Sequence, residues 1–351
     1  MTGAQPRRAL VLGSGGVLGF AWLLGALAAV EQEAGFDARS VEVAIGTSAG
    51  SVAAALLGCG LPVDVMCRHH QGEPAPDDPI IEYDYRAGAG DALPPRPGWR
   101  PAAPRLTWDG LTHPRRISPL VALSGLLPPG RASLGAIYAL VDGVAAATGY
   151  ADQWPTSPRP WIAATDYVSG RRVLFGRFAD GTDVTTPERA IRRARLADAV
   201  QASCSIPGWY PPTDIDGIRY VDGGVVSIAS VDALRHTGVD EAYVLVPMAS
   251  VDPDHPRGTA ARLERRLRRA ITRRIVADVA KLRASGMRVV LLTPMAPDLE
   301  AMGVNMMDPA RRTDVLDGAQ ETAAAQLRAQ LDEPLTDLSP FAKRSSMGDG
   351  A

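Results

Sequence analysis

Ser48 stands in Gly46-Thr47-Ser48-Ala49-Gly50, which fits the G-x-S-x-G pattern of a nucleophile elbow. A tight strand-to-helix turn needs small residues on both sides of the serine, and it lifts the hydroxyl clear of the backbone. Gly46 and Gly50 are the small residues here. The same five residues could be a plain turn closed by a capping serine. The context favours the elbow. The apolar run Val41-Glu42-Val43-Ala44-Ile45 precedes it as a strand, and residues 51–57 continue as an alanine-rich helix.

A second group lies upstream, in Gly13-Ser14-Gly15-Gly16-Val17-Leu18-Gly19. Residues without a Cβ let several backbone N–H groups converge on one anion. A dinucleotide-binding loop has the same composition. That site would want an acidic residue at the end of the second strand, to hold a ribose. Here the second strand runs into Gly46 and the serine elbow. The loop therefore reads as an oxyanion hole drawn from Gly13, Gly15, Gly16 and Gly19, with the N–H groups of Gly15 and Gly16 as the expected donors.

A third group is Tyr220-Val221-Asp222-Gly223-Gly224. Alone, Asp-Gly-Gly is a common turn. It gains weight from the segment just before it, Ala202-Ser203-Cys204-Ser205-Ile206-Pro207-Gly208-Trp209-Tyr210-Pro211-Pro212. The order Ser48, Asp222, then His236 or His255 also permits a Ser-Asp-His triad.

Taken together, these motifs resemble the patatin-like phospholipase family. That family has a glycine-rich loop, G-x-S-x-G roughly 30 residues on, an Ala-Thr-Asp strand, an Ala-Ser-x-x-Ile-Pro segment and Asp-Gly-Gly. All five occur here in that order, the third as Ala164-Thr165-Asp166, across roughly residues 9–230. The resemblance implies a three-layer α/β/α fold and hydrolysis of lipid acyl esters. It also implies a Ser-Asp pair, with Ser48 as nucleophile and Asp222 as base, and no cofactor or metal. An acyltransferase would use the same acyl-enzyme. The sequence departs from the family pattern at three places. Leu18 stands where the family often has Arg or Lys, and Ile228 and Ser230 take places often held by Asn and Pro. The loop that carries Asp222 is therefore expected to be supported differently.

The elements that must hold these residues read as an α/β chain. Ala9-Leu10-Val11-Leu12 is a short buried strand ending in glycines, and residues 20–33 form an apolar helix. Residues 9–30 carry no charge and follow Arg7 and Arg8, as a signal peptide would. The interrupting glycines favour a strand, a turn and a buried helix instead. Further strands are expected at 160–166, 172–175, 241–246 and 288–292, with helices at 134–147 and 187–202. Strands alternating with helices imply a mainly parallel central sheet. One domain over 1–340 is expected. Its Pro/Gly-rich stretch 72–133 reads as an insertion or lid, and 341–351 as a disordered tail.

The formal net charge of -2 gives no reason to expect a nucleic-acid partner. Cys59, Cys67 and Cys204 are scattered without metal spacing, which fits a reducing, cytoplasmic setting. One segment is strongly basic: residues 257–274 hold eight arginines against the single acid Glu264. Leu263, Leu267, Ala270, Ile271 and Ile275 give it an apolar stripe. The helix expected over 257–283 either packs on the core as a solvated helix or meets anionic lipid as a peripheral membrane contact.

Overall fold

The computed structural model describes residues 5–79, 81, 101–113, 117, 119–177, 190–191, 194–235, 237–252 and 258–332. His236, His255, the tail 341–351 and part of the stretch 72–133 lie outside these residues. In chain order the elements begin with β1 (Arg8–Leu12), α1 (Gly16–Ala34), β2 (Val43–Thr47), α2 (Ala49–Gly58) and α3 (Val63–Gln71). Next come α4 (Pro104–Thr112), α5 (Pro119–Ser124), α6 (Gly135–Ala147), β3 (Arg159–Asp166), β4 (Arg172–Phe175) and β5 (Ala190–Ile191). Then follow α7 (Leu196–Cys204), β6 (Thr213–Ile215), β7 (Ile218–Asp222) and β8 (Glu241–Leu245). The last are α8 (Thr259–Ala284), β9 (Arg288–Leu292), α9 (Ala296–Met302) and α10 (Arg312–Leu331).

The strands form one sheet in the order β5-β4-β3-β2-β1-β8-β9. Strands β1, β2, β3, β8 and β9 run parallel, and β4 lies antiparallel on β3. Side chains alternate across a strand, so each strand feeds two cores. Leu10, Leu12, Ala44, Ile162, Ala164, Leu245 and Leu292 face a core closed by α1, α2, α6, α7 and α10. Val11, Ile45, Trp161, Ala163, Val244 and Leu291 face the other, closed by Ile275, Val279 and Leu282 of α8 and by the turn around Val231 and Leu234. This is the expected three-layer α/β/α arrangement. Because both faces are covered, the parallel strands read as continuous apolar runs.

Helix α1 is long and apolar enough by composition to cross a membrane. In the fold it is a core helix, packed on α10. A Cβ at Gly25 would collide with the Leu316 carbonyl oxygen, so the two helices meet backbone to backbone. The expected helix over 187–202 is shorter than the pattern suggested. Among the described residues it spans Leu196–Cys204, while Ala190 and Ile191 pair with Leu174 and Phe175 at the sheet edge. Local pattern favours helix at these two residues, and an available strand edge overrides it.

The described part of the stretch 72–133 holds α4 and α5. They pack on the turn after β3 through Leu106, Val121 and Tyr167. Helix α8 splits its apolar stripe. Ile275 is buried, whereas Leu263 is 69% and Leu267 52% exposed. Two of its arginines go inward instead. Arg268 bonds Glu264 and the carbonyls of Pro247 and Ala249, and Arg265 pairs with Glu264.

Candidate active site

Strand β3 brings the site together. Its edge opposite β4 is shared by two strands. Strand β2 pairs with it up to Thr47, opposite Ala163, and β7 comes the other way and ends at Asp222, opposite Ala164. Two chain ends thus meet head to head at the C-terminal edge of the sheet. Ser48 follows Thr47 directly, so its hydroxyl stands beside the Asp222 carboxylate and favours its charged form.

Ser48 has φ +52° and ψ −120°, a backbone region that side chains other than glycine rarely occupy. The surrounding structure enforces it. A Cβ at Gly50 would collide with the Leu12 carbonyl oxygen, and one at Gly46 with the Gly50 carbonyl oxygen. Ser203 pins the elbow from below. The Ser48 N–H donates to Ser203 Oγ at 2.8 Å, and Ser203 Oγ donates to the Ala163 carbonyl at 2.6 Å. Ser51 Oγ donates to the Ser48 carbonyl at 2.6 Å.

Asp222 is as firmly held. Its Oδ1 accepts from the Gly224 N–H at 2.7 Å, its own N–H donates to the Ser205 carbonyl at 2.9 Å, and Thr165 Oγ1 donates to its carbonyl at 3.0 Å. Burial pushes the carboxyl up from 3.8 to about 6, against the opposing pull of the Ser48 hydroxyl and the Gly224 N–H. A carboxylate so raised is a better base near neutral pH than an ordinary aspartate.

The four glycines of the upstream loop divide into two kinds. The Gly13 N–H donates to the Leu245 carbonyl at 2.9 Å and the Gly19 N–H to the Gly15 carbonyl at 2.9 Å, so neither donor is available to a substrate. These two residues matter for close packing. A Cβ at Gly13 would stand 3.2 Å from Val246 Cγ1, and one at Gly19 3.2 Å from Pro247 Cβ. Gly15 and Gly16, by contrast, cap the start of α1, and their N–H groups meet no acceptor among the described residues. Gly16 takes φ +63°, and a Cβ on Gly15 would stand 2.6 Å from Gly19 Cα. With Ser48 capping α2 and Gly15 capping α1, two helix N-termini border the site, each favouring negative charge.

These N-termini open into a pocket. Val17, Phe20, Val52, Leu134, Leu140 and Ile206 are among its mostly apolar lining residues, with Ser48 on its wall. Two polar side chains also border the pocket. Burial pushes the Cys204 thiol up to about 12, which keeps it protonated and unreactive. Burial and the nearby Arg312 charge push His70 down to about 3, so its imidazole is neutral at physiological pH.

Residues 100–235 match the family described as patatin-like phospholipase. The matched segment holds β3, α7 and Asp222, and the glycine loop and Ser48 precede it. Among solved structures, the chain is similar to VipD from Legionella pneumophila, at 13% identity and a TM-score of 0.43, covering 93% of this chain and 68% of that one. It is also similar to the type III effector protein ExoU, at 17% identity and a TM-score of 0.36, covering 93% of this chain and 54% of that one. Full-length ExoU with SpcU, from the type III secretion system of Pseudomonas aeruginosa, gives 17% identity, a TM-score of 0.33 and coverage of 93% and 53%. The chain thus spans about half the length of the ExoU chains.

The departures from the family pattern have structural counterparts. Leu18 is fully buried in the core. Ile228 serves through its backbone, its carbonyl accepting from the Ser14 N–H at 2.8 Å. Ser230 has φ +50° and donates its N–H to Ser227 Oγ at 3.1 Å. Proline could do neither, because its φ is fixed near −65° and it has no N–H. Sequence reasoning assigned no role to Ser203 or His70. Ser203 sits in the quoted Ala-Ser segment, which was the available signal. Nothing local distinguishes His70, which reaches the pocket only through the packing of α3 on α1.

Proposed function

We propose that this protein hydrolyses acyl esters of lipids, with Ser48 as nucleophile and Asp222 as its base. The observation that carries this reading is that strand register sets Ser48 beside the buried Asp222 carboxylate, next to two unengaged backbone N–H groups. The Ser48 oxygen attacks the ester carbonyl carbon, and Asp222 takes the hydroxyl proton. The carbonyl oxygen becomes an oxyanion facing the N–H groups of Gly15 and Gly16. Loss of one such donor typically costs about 2.7–4 kcal/mol of transition-state stabilisation. The tetrahedral intermediate collapses to an acyl-enzyme, and the leaving alcohol departs with the proton. Water then attacks the acyl carbon, Asp222 takes its proton, and the fatty acid leaves as Ser48 is regenerated. Phospholipid, lysophospholipid and acylglycerol all present the required ester.

A Ser-Asp-His triad is disfavoured by this adjacency, since an imidazole would have to stand between the two side chains. A peripheral membrane contact through the basic helix remains part of the reading, because a lipid substrate is met at a lipid surface. Fluorophosphonate labelling tests the assignment. Wild type is expected to label and Ser48→Ala to stay unlabelled, and equal labelling would sink the nucleophile assignment. Replacing His236 and His255 with Ala is expected to leave ester hydrolysis intact. A loss of about 10⁴-fold would instead reinstate the triad.

A further inference from the structure

Large exposed apolar side chains usually lie scattered over a protein surface. Here those among the described residues gather at one edge of the sheet, the C-terminal edge that carries Ser48. Val168, 55% exposed, is in the turn that follows β3. Trp108 and Leu111 project from α4 at 66% and 71% exposure, and Leu123, Leu126 and Leu127 come from α5 and the turn after it. This pair of helices is tied to the same end of β3, where Tyr167 Oη donates to the Ser124 carbonyl at 2.7 Å. Leu127 lies 3.6 Å from where a Gly208 Cβ would stand, next to the segment whose Ile206 lines the pocket.

The remaining three lie elsewhere along the same edge. Val304 is in the segment between α9 and Met307, which packs on Gly16 and lines the pocket. Leu263 and Leu267 are on the first turns of α8. Arg268 fixes the height of that helix by bonding the Pro247 and Ala249 carbonyls, just past the end of β8. The helix then runs back along the sheet to β9, so its residues before Arg268 extend beyond the catalytic edge. At 1.5 Å per residue, Leu263 stands about 7 Å further out. Exposed arginines flank the two leucines at 262, 266 and 269, and Arg105 is exposed one turn from Trp108. Glu264 is already engaged by Arg265 and Arg268, so this end of α8 is positive.

From this arrangement we infer that the catalytic edge is a docking face for an anionic lipid surface, with α4–α5 and the start of α8 as its two feet. This rests on the lipid-ester reading of Ser48 and extends it. Leucine and tryptophan enter the acyl boundary, the arginines stay with the headgroups, and the pocket opens toward the bilayer. The occupant is a lipid surface because exposed apolar side chains and exposed cations share one edge with an apolar pocket.

The test uses the full chain and two double variants, Trp108→Asp with Leu111→Asp and Leu263→Asp with Leu267→Asp. All four positions are exposed, and circular dichroism checks that each variant is folded. Vesicles of phosphatidylcholine with phosphatidylglycerol should carry down the wild type better than phosphatidylcholine alone. Each double variant should lose partitioning by at least about 10-fold, yet cleave a short water-soluble ester at the wild-type rate. Wild type that cleaves the soluble ester but stays off vesicles would overturn the docking face, and so would variants that still bind. If the same substitutions instead abolish a concentration-dependent dimer, the face is a self-association surface and the inference is wrong. Failure of wild type on the soluble ester, with vesicle binding intact, would count against the Ser48 reading and leave the docking face standing.

Discussion

Thr47 and Asp222 occupy consecutive places along one edge of β3, opposite Ala163 and Ala164. One strand ends where the other arrives, so the residue after Thr47 faces the last residue of β7. Ser48 and Asp222, 174 positions apart in the chain, are thus aligned by the register of a third strand. Misplacing either strand would separate them.

Asp222→Asn tests the base directly. The amide oxygen can still accept from the Gly224 N–H, but it cannot take the Ser48 proton. Turnover should fall by about 10²–10⁴-fold. Steady-state hydrolysis of a soluble ester measures this.

The raised carboxyl sets the pH dependence. Asp222 must be ionised to act, so kcat/KM should rise through about pH 6 and level off above it. A rise centred near the ordinary aspartate value would remove the role given to burial.

The same carboxyl costs stability at neutral pH. It protonates at about 6 in the fold and near 3.8 in the ordinary state. Between these values the folded protein keeps a proton that the unfolded chain has lost, so stability falls as pH rises from about 4 to about 6. Above that range the penalty persists at up to about 3 kcal/mol. Asp222→Asn should therefore melt higher than wild type at pH 7 while the advantage vanishes below pH 4, as thermal melts across pH would reveal.

Ser203→Ala removes the acceptor for the Ser48 N–H and leaves that donor buried without its partner. A loss of about 1–3 kcal/mol in stability is expected. If Ser203 positions Ser48, kcat should also drop with KM little changed, and Ser203→Thr should restore part of it. Unchanged kcat in a folded Ser203→Ala protein would limit the residue to a structural role.

Backbone strain at Ser48 separates two variants that both lack its hydroxyl. Ser48→Gly relieves φ +52°, whereas Ser48→Ala keeps it. The glycine variant should be the more stable by about 1 kcal/mol in denaturant titrations. Gly50→Ala should fail to accumulate as folded protein, because its Cβ would collide with the Leu12 carbonyl oxygen. Gly143→Ala, on α6 with nothing within 4 Å of its Cβ, should be tolerated or add about 0.5–1 kcal/mol.

Much of this protein is legible along the chain because the relevant signals are local. Small residues around Ser48, a glycine run after β1 and apolar strands of four or five residues each follow from what a tight turn or a doubly covered strand permits. The family resemblance supplied the partner of Ser48, since no local rule joins residue 48 to residue 222. Only the tertiary structure decided which loop glycines keep a free N–H, because that depends on whether a neighbouring carbonyl, such as that of Leu245, already takes it. It alone buried Arg268 and left Leu263 in solvent, reversing what the stripe on α8 implied, because a helix that overhangs its sheet loses the surface its apolar face would cover. It also raised the Asp222 carboxyl, for desolvation is a property of everything packed around a group and is written in no single stretch of sequence.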